Sequence, residues 1–208
     1  NGCDAITKLK KLCSIGEADV PEGTKYFVKV VFDKKKKTLQ FIDNGIGMTA
    51  DEVKKYINEV AFSGAADFLA KYKEKEDEGS QIIGHFGLGF YSAFMVAKKV
   101  VIDTLSYQEG AEAVRWTCDG STEFSIEPAQ KEDRGTDIIL HIAEDSEEFL
   151  MKYRLNEILE KYGKFLPVEI EFDEKIINNP NPYILPEKIA SSFLIQYHSE
   201  QSNREVRG

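Results

Sequence analysis

The stretch Asp43-Asn44-Gly45-Ile46-Gly47-Met48 restricts the fold of this chain more than any other, because it joins a short apolar strand directly to a helix. Glycine reaches positive φ and has no Cβ, so backbone there can lie against a flat ligand while Asp43, held at the strand end, accepts a hydrogen bond. A base with an exocyclic amine suits that pairing. A tight turn with an acidic start accounts for the same residues and is the commoner reason for such a pattern.

A second glycine cluster shifts the balance. Gly84-His85-Phe86-Gly87-Leu88-Gly89-Phe90 runs into the apolar segment Tyr91-Ser92-Ala93-Phe94-Met95-Val96-Ala97. A glycine-rich loop entering a helix leaves unpaired N–H groups at a positive dipole end, where phosphate oxygens can be received. No Gly-Lys-Ser/Thr follows, and the spacing is G-x-x-G-x-G, so this is neither a Walker A loop nor a dinucleotide fingerprint. A helix start packed closely on a sheet is the plainer alternative.

These two clusters, the opening Asn1-x-x-Asp4-Ala5, the segment Ala61-Phe62-Ser63-Gly64, and Arg134-Gly135-Thr136 ahead of Ile138-Ile139-Leu140-His141 together resemble the GHKL superfamily of ATP-binding domains. Within it, their order and spacing are most similar to the ninety-kilodalton heat-shock chaperones in their bacterial form, from residue 1 to about residue 182. The resemblance implies an α+β two-layer sandwich, the Bergerat fold, with a mixed, mostly antiparallel sheet covered by helices on one face. It implies a nucleotide domain over residues 1–175 with a lid at about 61–84, followed by a linker and unassigned tail over 176–208.

The same resemblance assigns roles. Asp43 would take the adenine amine, helped by Gly47 and Thr136, with Met48, Ile57 and Phe90 in apolar contact with base or sugar. Gly84, Phe86, Gly87, Leu88 and Gly89 would surround the phosphates. Asn1 would hold Mg²⁺ by its amide oxygen, with Asp4 and Lys8 close to the nucleotide. The family's general base is a Glu expected four residues before Asn1, so no catalytic residue is assigned within the chain, and turnover is left to the parent protein. Asn1 is not an ordinary translation start, and the expectation is a piece of a longer chain. Phe62 stands where the family's lid often has a lysine, so no lysine contact is expected there.

Composition bounds the alternatives. The chain has 208 residues, 42% hydrophobic and 30% charged, with a formal charge of −9, enough for one α+β domain with a full core. Nucleic-acid binding is disfavoured by that charge. No apolar run approaches the roughly 18 residues of a membrane span, so no membrane partner is expected either. Cys3, Cys13 and Cys118 lack metal-ligand spacing and point to a reducing, cytoplasmic setting.

Along the chain, Ile6, Leu9, Leu12 and Cys13 recur at helical spacing, with Asn1, Asp4 and Lys8 on another face. Tyr26–Phe32 and Thr38–Ile42 read as a hairpin around Asp33-Lys34-Lys35-Lys36-Lys37, a solvated turn rather than a nucleic-acid patch. Thr49-Ala50-Asp51-Glu52 has the form of a capping box, opening a helix with Val53, Ile57 and Val60 on one stripe. Gly84–Ala97 reads as a buried helix, and Glu147–Tyr162 as another. Between them, Lys99–Ser106, Ala111–Cys118, Thr122–Glu127 and Thr136–Ala143 read as an antiparallel meander with turns at Gln108-Glu109-Gly110 and Asp119-Gly120-Ser121. Trp116 is a sheet residue, and Pro167–Phe172 a last strand. His85, His141 and His198 have no ligand-spaced partner, and residues 183–208 are given no function.

The expected ligands are ATP or ADP with Mg²⁺, and the expected partners are client proteins and a second copy within the intact chaperone. Two other readings stay open. One keeps the fold in a histidine kinase, topoisomerase or mismatch-repair protein; the other is a nucleotide-binding module without turnover.

Overall fold

The computed structural model describes residues 1–58, 88–121 and 123–180. The expected lid, about 61–84, and the tail from 183 lie outside them, as do Val60, Gly84, Phe86 and Gly87. Helix α1 spans Gly2–Ser14, with Ile6 and Leu9 fully buried, as the spacing predicts. Strands β1 (Phe27–Asp33) and β2 (Thr38–Asp43) form the hairpin, and Asp33 accepts the N–H groups of Lys35 and Lys36 at 2.8 and 3.0 Å to close its tip. Lysine is therefore tip chemistry there. Helix α2 (Ala50–Val53) opens with the reciprocal Thr49–Glu52 capping box and passes into a π-helical turn over Lys54–Asn58.

A 3-10 helix, Leu88–Met95, leads into β3 (Ala97–Leu105), followed by β4 (Val114–Cys118), β5 (Phe124–Pro128) and β6 (Gly135–Ile142). Another 3-10 helix, Glu144–Leu150, precedes helix α3 (Lys152–Gly163), and the short strands β7 (Glu169–Phe172) and β8 (Lys175–Ile176) close the sheet. The sheet order is β5-β4-β3-β6-β2-β1-β7-β8, antiparallel except for the parallel pair β1 and β7. It is the mixed, mostly antiparallel α+β sheet expected.

Three local expectations are corrected. The meander stops at β5, since β6 crosses back to pair with β3 and β2. Its Ile138, Ile139, Leu140 and Ile142 need neighbours on both sides, whereas β5 is largely exposed and serves as an edge. The segment before β3 is not a buried α-helix in its described part: at three residues per turn, Ser92 and Met95 fall on one solvent-facing edge, and Met95 is 64% exposed. Glu147–Tyr162 is likewise two pieces, broken at Met151 in extended conformation. A continuous helix would set Leu150 and Leu155 about 140° apart. The break lets both reach the core.

Cross-strand register sorts the sheet into two faces. One carries Val30, Leu39, Val100, Ile102, Val114, Trp116, Leu140, Ile170 and Phe172, all buried. Burying each large side chain contributes about 1.5–3 kcal/mol. The other face carries Lys29, Gln40, Asp103, Arg115 and Asp137, with ion pairs Arg115–Asp103 at 2.6 Å and Lys29–Glu171 at 2.8 Å. Helices α1 and α3 both pack on the apolar face, where a Cβ on Gly2 would lie 3.1 Å from Val28 and one on Gly163 would lie 3.9 Å from Ile170.

Candidate nucleotide-binding site

One row of the apolar face is polar. Asp43 on β2 stands opposite Thr136 on β6, which stands opposite Thr104 on β3, and their exposures are 8%, 8% and 0%. The neighbouring row, Phe41, Ile138 and Ile102, has no polar atom in its side chains. Polar groups cost stability when buried without partners, so this row draws attention to the sheet end where it lies.

The turn after Asp43 is fixed from several directions. Gly45 N–H donates to Asp43 Oδ1 at 2.9 Å. Asn44 accepts from Phe27 N–H at 3.1 Å and donates to Lys25 O at 2.7 Å, tying the turn to the start of β1. Arg134 donates through Nη2 to Asn44 O at 2.9 Å and through Nε to Gly45 O at 3.0 Å. Helix α1 closes the other side, with Ile46 N–H on Ala5 O at 3.3 Å.

The glycines serve the protein's own backbone. A Cβ on Gly45 would lie 2.7 Å from Ala5, and one on Gly47, where φ is +63°, only 1.8 Å from Leu105 O. Gly135, at φ +123°, lets β6 pass Asp43 O, which a Cβ would approach to 2.0 Å. Space that the sequence suggested for a flat ligand is here taken by α1, β3 and β2.

A cleft of about 530 Å³ opens between the start of α1, the end of α3 and the sheet. Asn1, Asp4 and Asp43 line it together with Gly2 and Cys3, over a floor that includes Val28, Phe41 and Ile138. Burial pushes the Asp43 carboxyl up from 3.8 to about 6, against the pull of the Gly45 N–H. The Cys3 thiol is raised too, chiefly by burial. The size and mixed lining suit a small organic ligand. Another hollow of about 550 Å³, between the start of α3 and the β7–β8 hairpin, holds none of the candidate residues.

The candidates do not all converge. Thr136 flanks Asp43 in the polar row but does not line the cleft, and Gly47 and Met48 follow in the loop, also outside that lining, where Met48 N–H donates to Thr104 Oγ1 at 2.9 Å. Lys8 is exposed further along α1 and does not line the cleft, and Ile57 packs against the core. Leu88, Gly89 and Phe90 belong to the 3-10 helix. No motif points to Thr104, whose place in the row depends on strand register, or to Cys3 as a cleft residue. Arg134 was visible only as part of a motif, without its partners.

The sequence model of the family described as histidine kinase-, DNA gyrase B-, and HSP90-like ATPase matches residues 7–136, a span that contains the whole polar row. The chain belongs to this family. Among curated relatives, it is 55% identical over 175 residues to the chaperone protein HtpG of Bacteroides thetaiotaomicron and 52% identical over 175 residues to that of Porphyromonas gingivalis. Each of these matches covers 84% of this chain and 25% of the relative. HtpG of Escherichia coli is 37% identical over 211 residues, covering 100% of this chain and 34% of the relative. The chain thus spans about a quarter of the length of its Bacteroides and Porphyromonas relatives. The Escherichia match extends through residues 183–208, to which the sequence motifs gave no assignment.

Proposed function

We propose that this chain is the ATP-binding domain of an ATP-dependent molecular chaperone. The observation that carries the reading is a carboxylate buried at the end of β2, in a polar row of a largely apolar sheet face, beside a cleft of ligand size. Asp43 Oδ1 is occupied by Gly45 N–H, which leaves Oδ2 to accept from an adenine amine. Thr136, on the neighbouring strand, supplies a hydroxyl beside it. Gly47 holds the loop in the conformation that carries Met48 back against β3.

Asn1 stands at the start of α1, but its side chain makes no capping hydrogen bond, so its amide oxygen is available to a cation. Among the described residues, no group of three or more His, Cys, Asp or Glu could hold a metal. Mg²⁺ is ordinarily carried by phosphate oxygens, with one or two protein ligands. When bound, Mg²⁺ would neutralise phosphate charge, with Asn1 as its protein ligand and Asp4 beside it on the same helix. Lys8 would act at longer range, and Gly84, Phe86, Gly87, Leu88, Gly89 and Phe90 would complete the phosphate side. In the longer parent protein, nucleotide would bias a lid at about 61–84 and a dimer through its stronger affinity for the closed state, in the service of client folding. Hydrolysis is proposed for that parent, and the residues described here are assigned to binding. Free cysteines at positions 3, 13 and 118 suit a reducing cytoplasm. Among the described residues, no helix is long and apolar enough to cross a membrane.

Calorimetric titration of the 208-residue chain with ATP, with and without Mg²⁺, tests this reading. Binding that strengthens with Mg²⁺ and disappears in Asp43→Asn is expected. A folded chain that ignores ATP, or that binds it equally well without the Asp43 carboxylate, refutes the assignment.

A further inference from the structure

Thr104 is the fully buried member of the polar row, and its hydroxyl has three partners. Met48 N–H reaches Oγ1 at 2.9 Å, Gly135 O lies at 3.2 Å, and Thr136 Oγ1 lies at 3.0 Å. A hydroxyl has one proton and two lone pairs. The Met48 N–H can only donate and the Gly135 carbonyl can only accept, so the arrangement that serves all three partners sends the Thr104 proton to Gly135. Thr136 then donates its own proton to Thr104. This saturates Thr104 and leaves Thr136 with lone pairs alone.

We propose that Thr104 is a positioning residue that sets the polarity of the site, turning Thr136 into a hydrogen-bond acceptor beside the acceptor Asp43 and so selecting a base edge that donates. The proposal rests on the nucleotide reading above and deepens it. A row of two acceptors matches an exocyclic amine with its two N–H bonds, or an amine and an ordered water. A carbonyl at the same ring position would set oxygen lone pairs against oxygen lone pairs. Discrimination of this kind rests on leaving polar groups unpaired with the wrong ligand. Thr104 also joins Met48 to the row, so the same hydroxyl holds the loop that follows Asp43 in its place.

The test is the ratio of affinities for ATP and inosine triphosphate, which differ by amine against carbonyl at one ring carbon, measured calorimetrically on the 208-residue chain. Wild type is expected to prefer ATP, and Thr104→Ser, which keeps the hydroxyl, to retain that preference. Thr104→Val keeps the shape but frees the Thr136 proton to turn toward the ligand, and its preference should fall by about tenfold, the worth of a single hydrogen bond. Thr104→Cys, close in size and a poor hydrogen-bonding group, carries the same expectation should the valine variant fold badly. Equal weakening of both nucleotides with an unchanged ratio would overturn the proposal and leave Thr104 a purely structural residue. Failure of the wild-type chain to bind ATP would sink the nucleotide reading itself, and this inference with it.

Discussion

Replacing Asp43 by Asn should make the protein more stable at neutral pH while removing nucleotide binding. The carboxyl is 8% exposed, and burial raises its pKa from 3.8 to about 6, a shift worth on the order of 3 kcal/mol at roughly 1.4 kcal/mol per unit. The folded state holds the proton more tightly than the unfolded state, so stability is greatest below about pH 4, falls as pH rises through about 6, and carries the full penalty above. Asparagine keeps an oxygen for the Gly45 N–H and has no charge to bury. The variant should therefore exceed wild type by up to about 3 kcal/mol at pH 7, which for a domain of this size is about 6–12 °C in melting temperature. That advantage should vanish near pH 4.

Thermal melts of both proteins across this range are the assay, and the quantity to follow is the difference between them. Other titrating groups cancel in that difference. The charges that act on Asp43, namely the terminal ammonium, Asp137 and Lys131, modify the size of the shift but are outweighed by burial. An Asp43→Asn variant that melts below wild type at pH 7, or an advantage that persists unchanged at pH 4, would refute the picture of a destabilising carboxylate kept for its ligand.

Adenosine, which has no group titrating near neutrality, should bind less tightly as pH falls through about 6, because protonated Asp43 loses its charge; a titration series at fixed ionic strength checks this. Arg134→Met should cost about 2–3 kcal/mol in urea unfolding, since two backbone carbonyls of the turn lose a charged donor, and should weaken ATP binding as the turn loosens. Gly47→Ala meets both a positive φ and a backbone oxygen at 1.8 Å, so it should yield little folded protein, as judged by circular dichroism and gel filtration. Thr49→Ala removes the capping box of α2 and should lower stability by about 1 kcal/mol, read from its urea midpoint.

Much of this site was legible because its signals are local. A strand ending in Asp43, the glycines after it, and the Thr49–Glu52 box are set within a few residues, and local chemistry decides them. Pairing partners are set by competition over the whole chain. β6 reads as the next strand of a meander until its apolar residues are weighed against the polar edge that β5 offers, and the move to β3 creates the row in which Thr104, Thr136 and Asp43 meet. Thr104 therefore has no signature in sequence: a threonine near a strand end becomes a partner of Thr136 only once β6, which is not the next strand in the chain, lies beside it. The glycines teach the converse. Their spacing is visible at once, but their reason is not, since Gly45, Gly47 and Gly135 yield room to α1, β3 and β2 and thereby hold the carboxylate in place. Close backbone packing is what keeps Asp43 buried, so the rigidity of the turn and the raised proton affinity of its carboxylate come from the same contacts.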